Sequence, residues 1–104
     1  MGEVDVRMFG VLHTHRRERG LPTHLTVQVS PEGVIARALA VDLGLPLEDI
    51  EGVFCNGTIY GPRHIIMPGD RVGFAPKGVP GPHRFTLGIW KVGQESWTEE
   101  PSVK

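Results

Sequence analysis

The chain has 104 residues, a formal net charge of −1, and 39% hydrophobic against 22% charged residues. Such a chain makes one domain with a modest core, which excludes intrinsic disorder, and its near-neutral charge removes any general electrostatic pull toward nucleic acid or anionic membrane. The single cysteine, Cys55, excludes an internal disulfide and a cysteine-built zinc site, and on a strand it reads as a small buried hydrophobe rather than a nucleophile.

The first residues carry no charged-then-apolar leader and no run approaches a membrane span, so the expected location is the cytoplasm. From residue 3 to 9 the chain alternates: Val4, Val6 and Met8 fall on one side, Asp5, Arg7 and Phe9 on the other, the period of a half-buried strand. A long polar connection is expected from His13 to Gly20, with Arg16-Arg17-Glu18-Arg19 as a solvated hairpin tip. Alternation resumes over residues 24–29, with Leu25, Val27 and Val29 opposite Thr26 and Gln28. The two strands are expected to pair antiparallel.

Ser30-Pro31-Glu32 has the chemistry of a helix start: a hydroxyl for the free amides, a proline for the first turn and a carboxylate beside it. The predicted helix runs from Pro31 to Leu43, with an apolar stripe of Val34, Ile35, Ala38, Leu39, Val41 and Leu43. Gly44 ends it and Leu45-Pro46 prevents continuation. It is the one helix the sequence announces, and Ile35 and Leu39 are expected to face the sheet, so that Ile35→Asp would be strongly destabilising. A short turn is expected from Pro46 to Ile50.

The stretch from Val53 to Phe74 carries the strongest local signals. Asn56-Gly57 between apolar triplets predicts a two-residue hairpin turn, and Met67-Pro68-Gly69-Asp70 predicts a type II turn. Strands are expected at 52–56 and 71–75, with a short one between. One helix over a mixed sheet of four or five strands is an α+β, β-grasp architecture. Beyond Phe74 the proline- and glycine-rich segment 75–82 is neither strand nor helix interior. Phe85, Leu87 and Ile89 then alternate with Thr86, Gly88 and Trp90, predicting an added strand within 84–91 whose edge would permit a homodimer. The domain division expected is 1–81 for the body, 82–92 for the added strand and 93–104 for a flexible tail.

Val6-Arg7-Met8-Phe9-Gly10, Leu45-Pro46-Leu47-Glu48-Asp49-Ile50 leading into Val53-Phe54-Cys55-Asn56-Gly57, and Pro68-Gly69-Asp70-Arg71-Val72-Gly73-Phe74-Ala75-Pro76 together resemble the ThiS/MoaD family of ubiquitin-like β-grasp proteins. The resemblance covers residues 3 to 81. It implies a sulfur carrier whose terminal Gly-Gly carboxylate is adenylated by an activating enzyme and converted to a thiocarboxylate for thiazole or molybdopterin synthesis. The matching tail here is Gly78-Val79-Pro80-Gly81, where Pro80 replaces the penultimate glycine and Gly81 is bonded to Pro82. An internal amide offers no carboxylate, and Pro80 fixes φ where flexibility is wanted.

The functional expectation is therefore a non-catalytic ubiquitin-like protein-interaction module, with no cofactor. Its partner-binding residues would be Arg7, Phe9, Thr26, Gln28 and Arg71 on the sheet face opposite the helix, with Phe74, Pro76, Gly78, Val79, Pro80 and Gly81 along the exit of the last strand. The resemblance suggests an activating enzyme or a synthase subunit as partner. The alternative is a sulfur carrier that works only after processing near Gly81. Nucleic-acid binding through the arginine cluster ranks below both. His13, His15 and His24 would meet only if the polar connection folded back, and solvated histidines are the simpler expectation, with no metal held.

Overall fold

The computed structural model describes residues 2–77 and 97–98. Seven strands and two helices follow in the order β1 (Gly2–Met8), α1 (Gly10–Glu18), β2 (His24–Val29), β3 (Val34–Ile35), α2 (Ala36–Asp42), β4 (Ile50–Cys55), β5 (Thr58–Tyr60), β6 (Ile65–Ile66) and β7 (Arg71–Pro76). The main sheet has five strands in the order β2-β1-β7-β4-β5, and β3 and β6 form a separate two-stranded ribbon. Only β1 and β7 run parallel, side by side in the middle of the sheet, so this is a mixed α+β fold. The antiparallel β1–β2 pair, the four principal strands and the short turn at Leu47–Asp49 lie where the sequence puts them. No helix among the described residues is long and apolar enough to cross a membrane.

The core lies on one face of the sheet. Val4, Val6 and Met8 of β1, Val72 and Phe74 of β7 and Val53 of β4 point into it, and Leu12, Leu39 and Ala40 of the two helices close it. Glu51 is an extra residue in β4, because Ile50 pairs with Pro76 while Gly52 pairs with Ala75. That bulge turns Ile50 to the same side as Val53.

The helices depart most from expectation. The segment read as a polar connection and solvated hairpin tip is largely helical: it forms α1, which ends in a Schellman turn with Leu21 N–H donating to Arg16 O and Gly20 N–H to Arg17 O. Its inward residues are Leu12 and, one turn on, Arg16. Arg16 is only 4% exposed, and its guanidinium donates to the carbonyls of Pro22 and Leu43, each at 2.6 Å. It is a pin between α1 and the end of α2, while Arg17 and Arg19 stay in solvent.

The predicted helix from Pro31 starts five residues late. Ser30 to Gly33 is a turn, closed by Gly33 N–H on Ser30 O, and Gly33 sits at φ +87°, which breaks any helix begun at Pro31. A Cβ there would also meet Ile66 O at 2.6 Å, where the ribbon passes close by. Val34 and Ile35 pair with Ile66 and Ile65, and the free amides of Ala36 and Arg37 donate to His64 O and Pro62 O. Backbone carbonyls thus replace the hydroxyl cap. In consequence Ile35 is 39% exposed, and Ala38 and Val41 also face solvent, whereas Leu39 is buried as expected.

The predicted added strand at 84–91, with Trp90, lies outside the described residues. Within the stretch expected to be a flexible tail, Trp97 is instead 3% exposed in the core. Its ring meets Phe74 edge-on at 6.0 Å between centroids, and Arg37 Nε donates to its carbonyl at 3.0 Å. Burying a large aromatic ring on the sheet outweighs leaving it in water, which the polar sequence around it did not suggest.

Candidate functional site

The other face of the main sheet is not covered by either helix. Register brings one row of side chains across all five strands: His24, Arg7, Gly73, Phe54 and Ile59. A second row holds Thr26, Asp5 and Arg71. Between these rows lies an open depression of about 570 Å³, lined by Asp5, Arg7, Phe9, Phe54, Arg71 and Gly73, with the Asn56-Gly57 turn at one end.

Gly73 lets an aromatic ring lie flat on the sheet in this depression. It stands between Arg7 and Phe54, and a Cβ at that position would come within 2.5 Å of the Phe9 ring. The ring therefore lies back over β7 while remaining 46% exposed. Phe54, Ile59 and Ala75 form a small apolar cluster of their own on this side. Around this floor stand charged groups. Asp5 Oδ1 is hydrogen-bonded to His24 Nε2, and its other oxygen lies 3.9 Å from Arg7 Nε. Arg71 makes no ion pair among the described residues.

The two predicted turns are locked together behind this rim. Asn56, at φ +53°, and Gly57 form the hairpin turn of β4 and β5. Asn56 Nδ2 donates to Asp70 Oδ1 at 2.9 Å, and Arg71 N–H donates to Asn56 Oδ1 at 2.9 Å. Asp70 Oδ2 also accepts from Met67 N–H at 2.8 Å and from the Cys55 thiol at 3.2 Å. Burial acts against ionisation of Asp70, but these hydrogen bonds outweigh it and hold the carboxyl below its ordinary range. Burial, reinforced by the Asp70 carboxylate, pushes the Cys55 thiol up to about 12. At neutral pH Cys55 is thus a buried thiol that donates to a carboxylate, without thiolate character.

Arg7, Phe9, Thr26, Gln28 and Arg71 all fall on the open face, as expected from alternation. Arg7, Phe9 and Arg71 meet at the depression, whereas Thr26 and Gln28 stand apart on β2, with Gln28 donating to Glu3 at 2.9 Å. Phe74 does not belong to a docking face: it is fully buried on the helix side under Trp97, because it alternates with Gly73. Pro76 is half-buried and packs toward Gly10. Gly78, Val79, Pro80 and Gly81 lie outside the described residues. Sequence reading missed Phe54 and Gly73, because Val53-Phe54-Cys55 looks uniformly apolar and conceals its alternation. Gly73 lies two residues from Arg71 and from Ala75, and that spacing was the available signal.

The histidines do not gather. Among the described residues no three histidine, cysteine or carboxylate side chains come together as a metal site. His24 is oriented by Asp5 on the neighbouring strand, a partner that reading the sequence missed, and His15 sits on α1 with Nδ1 buried and unpartnered among the described residues.

Comparison with protein-family models, with characterised proteins and with solved structures found no match.

Proposed function

We propose that this chain is a ubiquitin-like β-grasp domain that acts as a non-catalytic protein-interaction module related to the sulfur carriers of molybdopterin and thiamine synthesis. The single observation that carries the reading is the asymmetry of the five-stranded sheet: α2 is held against one face, and the opposite face presents exposed Phe9 beside Arg7 and Arg71. The first and last strands as parallel neighbours at the sheet centre, with the helix between them in sequence, fit that architecture. A partly exposed aromatic with arginines around it is the composition from which interface hot spots are drawn. An activating enzyme or a synthase subunit is the partner that the motif resemblance favours.

The test is photocrosslinking from positions 9 and 28 on the open face and from 38 and 41 on the exposed side of α2. A specific adduct from the open-face positions, lost with Arg71→Glu, supports the reading. Adducts that form equally or only from α2 overturn it.

The sulfur-carrier alternative is favoured by one feature of the sequence, that Gly78-Val79-Pro80-Gly81 follow the end of β7 after a single residue. ATP–pyrophosphate exchange with a cognate-type activating enzyme separates the readings. The expected result is no exchange with the full chain, where Gly81 is an amide to Pro82, and exchange with a chain ending at Gly81 and carrying Pro80→Gly. Robust exchange with the full chain restores the sulfur carrier.

A further inference from the structure

The depression on the open face carries an unbalanced charge. In a chain of net charge −1, two guanidinium groups stand here against one carboxylate. That carboxylate, Asp5, already serves His24 through one oxygen and lies 3.9 Å from Arg7 through the other. Arg71 pairs across from Asp5, and Arg7 pairs across from Gly73. The two arginines are therefore diagonal neighbours on adjacent central strands. Gly73, between Arg7 and Phe54, carries no side chain, and the Phe9 ring lies directly over it as an apolar floor beside the two arginines.

We infer that the depression takes a carboxylate-bearing segment of a protein partner. An acidic side chain sits between Arg7 and Arg71, and a neighbouring apolar side chain rests on Phe9 and Phe54. The chemistry follows from the parts. A guanidinium fork matches a carboxylate in two parallel hydrogen bonds, and two forks facing one gap favour an anion over a neutral ligand. The aromatic rings give a desolvated floor beside the charge, which is where binding energy concentrates. A nucleic-acid strand would use the same rings for stacking, but its run of phosphates needs a basic track, and beyond Arg7 and Arg71 the same face offers Glu3 and Asp5, whereas a single carboxylate needs only the two arginines. This inference rests on the docking reading above and adds the chemistry of the partner.

The experiment is selection of random displayed peptides on the full chain and, in parallel, on the Arg7→Glu/Arg71→Glu double variant. Amide chemical-shift mapping of one selected peptide follows, with an oligo(U) strand as competitor. Both arginines are exposed, so the double variant keeps its fold, which circular dichroism checks. The expected result is enrichment of Asp or Glu close to an aromatic or aliphatic residue on the native chain. The double variant loses those peptides at least tenfold and enriches basic ones, and the shifts fall on Arg7, Phe9, Phe54, Arg71 and Gly73. Peptides that map to this face without acidic residues, and survive charge reversal, overturn the carboxylate and leave the docking face standing. Peptides that map to α2 or the β3–β6 ribbon overturn both, and failure to enrich any peptide counts against the carboxylate site. Oligo(U) bound more tightly than any selected peptide, and lost in the double variant, assigns the face to nucleic acid.

Discussion

The two faces of the main sheet are written in the same strands by alternate residues, yet they differ in almost every physical respect. On β1, Val4, Val6 and Met8 are between 0% and 2% exposed, whereas Arg7 and Phe9 beside them stand in solvent. The covered face is sealed by two helices and by Trp97, and every change there alters packing. The open face holds the depression lined by Arg7, Phe9 and Arg71, with Gly73 in its floor. The difference teaches that stability and docking can be perturbed separately in this protein, residue by residue along a single strand.

The largest test of that separation is Phe74→Ala. Phe74 is fully buried beneath Trp97, and losing an aromatic ring from such a site costs about 3–5 kcal/mol. Chemical denaturation should show that loss. A cost under about 1 kcal/mol would mean that the covered face is not sealed as described.

Asp70→Ala comes next. It removes the acceptor of three hydrogen bonds, two of which join the two turns and one of which closes the Met67–Asp70 turn, for a loss of about 2 kcal/mol. The carboxyl is lowered in the folded state, so its contribution is present above the unfolded value of 3.8 and disappears as pH falls through the lower folded value. Denaturation midpoints measured from pH 6 downward should fall less steeply in the variant. Cys55 gives the mirror image at alkaline pH. Its thiol is raised to about 12 in the folded state, so stability declines as pH rises above the unfolded value of 9.0, and Cys55→Ala should flatten that decline.

Ile35→Asp reverses the sequence-based expectation. Ile35 is 39% exposed and occupies the N-cap position of α2 with an extended backbone and no side-chain cap. An aspartate there gains a cap while losing a partly buried contact with Ile65, and the net change should lie within about 1 kcal/mol. A loss of several kcal/mol would restore the buried stripe. The smallest effect is expected for Arg71→Ala, an exposed residue without an ion pair among the described residues. Its stability should change by less than about 0.5 kcal/mol, while partner capture from position 9 falls.

What could be read in advance follows the range of the interactions concerned. Turn chemistry is local, so Asn56-Gly57 and Pro68-Gly69 announced themselves, and the alternation of β1 and β2 separated Arg7 and Phe9 from Val6 and Met8. The helix boundaries depended on partners distant in sequence. Ser30-Pro31-Glu32 has good local credentials, but the ribbon strand at Ile65–Ile66 claims Val34 and Ile35 first. α1 escaped notice because its second inward residue is an arginine, whose carbonyl partners at Pro22 and Leu43 no pattern of polarity reveals. At the candidate site the arginines and Phe9 were legible from period, whereas the seat that Gly73 gives the Phe9 ring, between Arg7 and Phe54, arises only when three strands are laid side by side.

The parallel contact between β1 and β7 also fixes when this protein can fold. Val6 meets Val72, so the two central strands are far apart in sequence, and their pairing must close a long loop that contains all the remaining strands of the sheet and ribbon and both helices. During synthesis β1 and β2 can pair early across α1, but the inner edge of β1 stays unpaired until β7 has left the ribosome. Until then that edge is a template for pairing with another chain. A chain interrupted before Arg71 therefore lacks its keystone strand and is an aggregation hazard rather than a smaller domain.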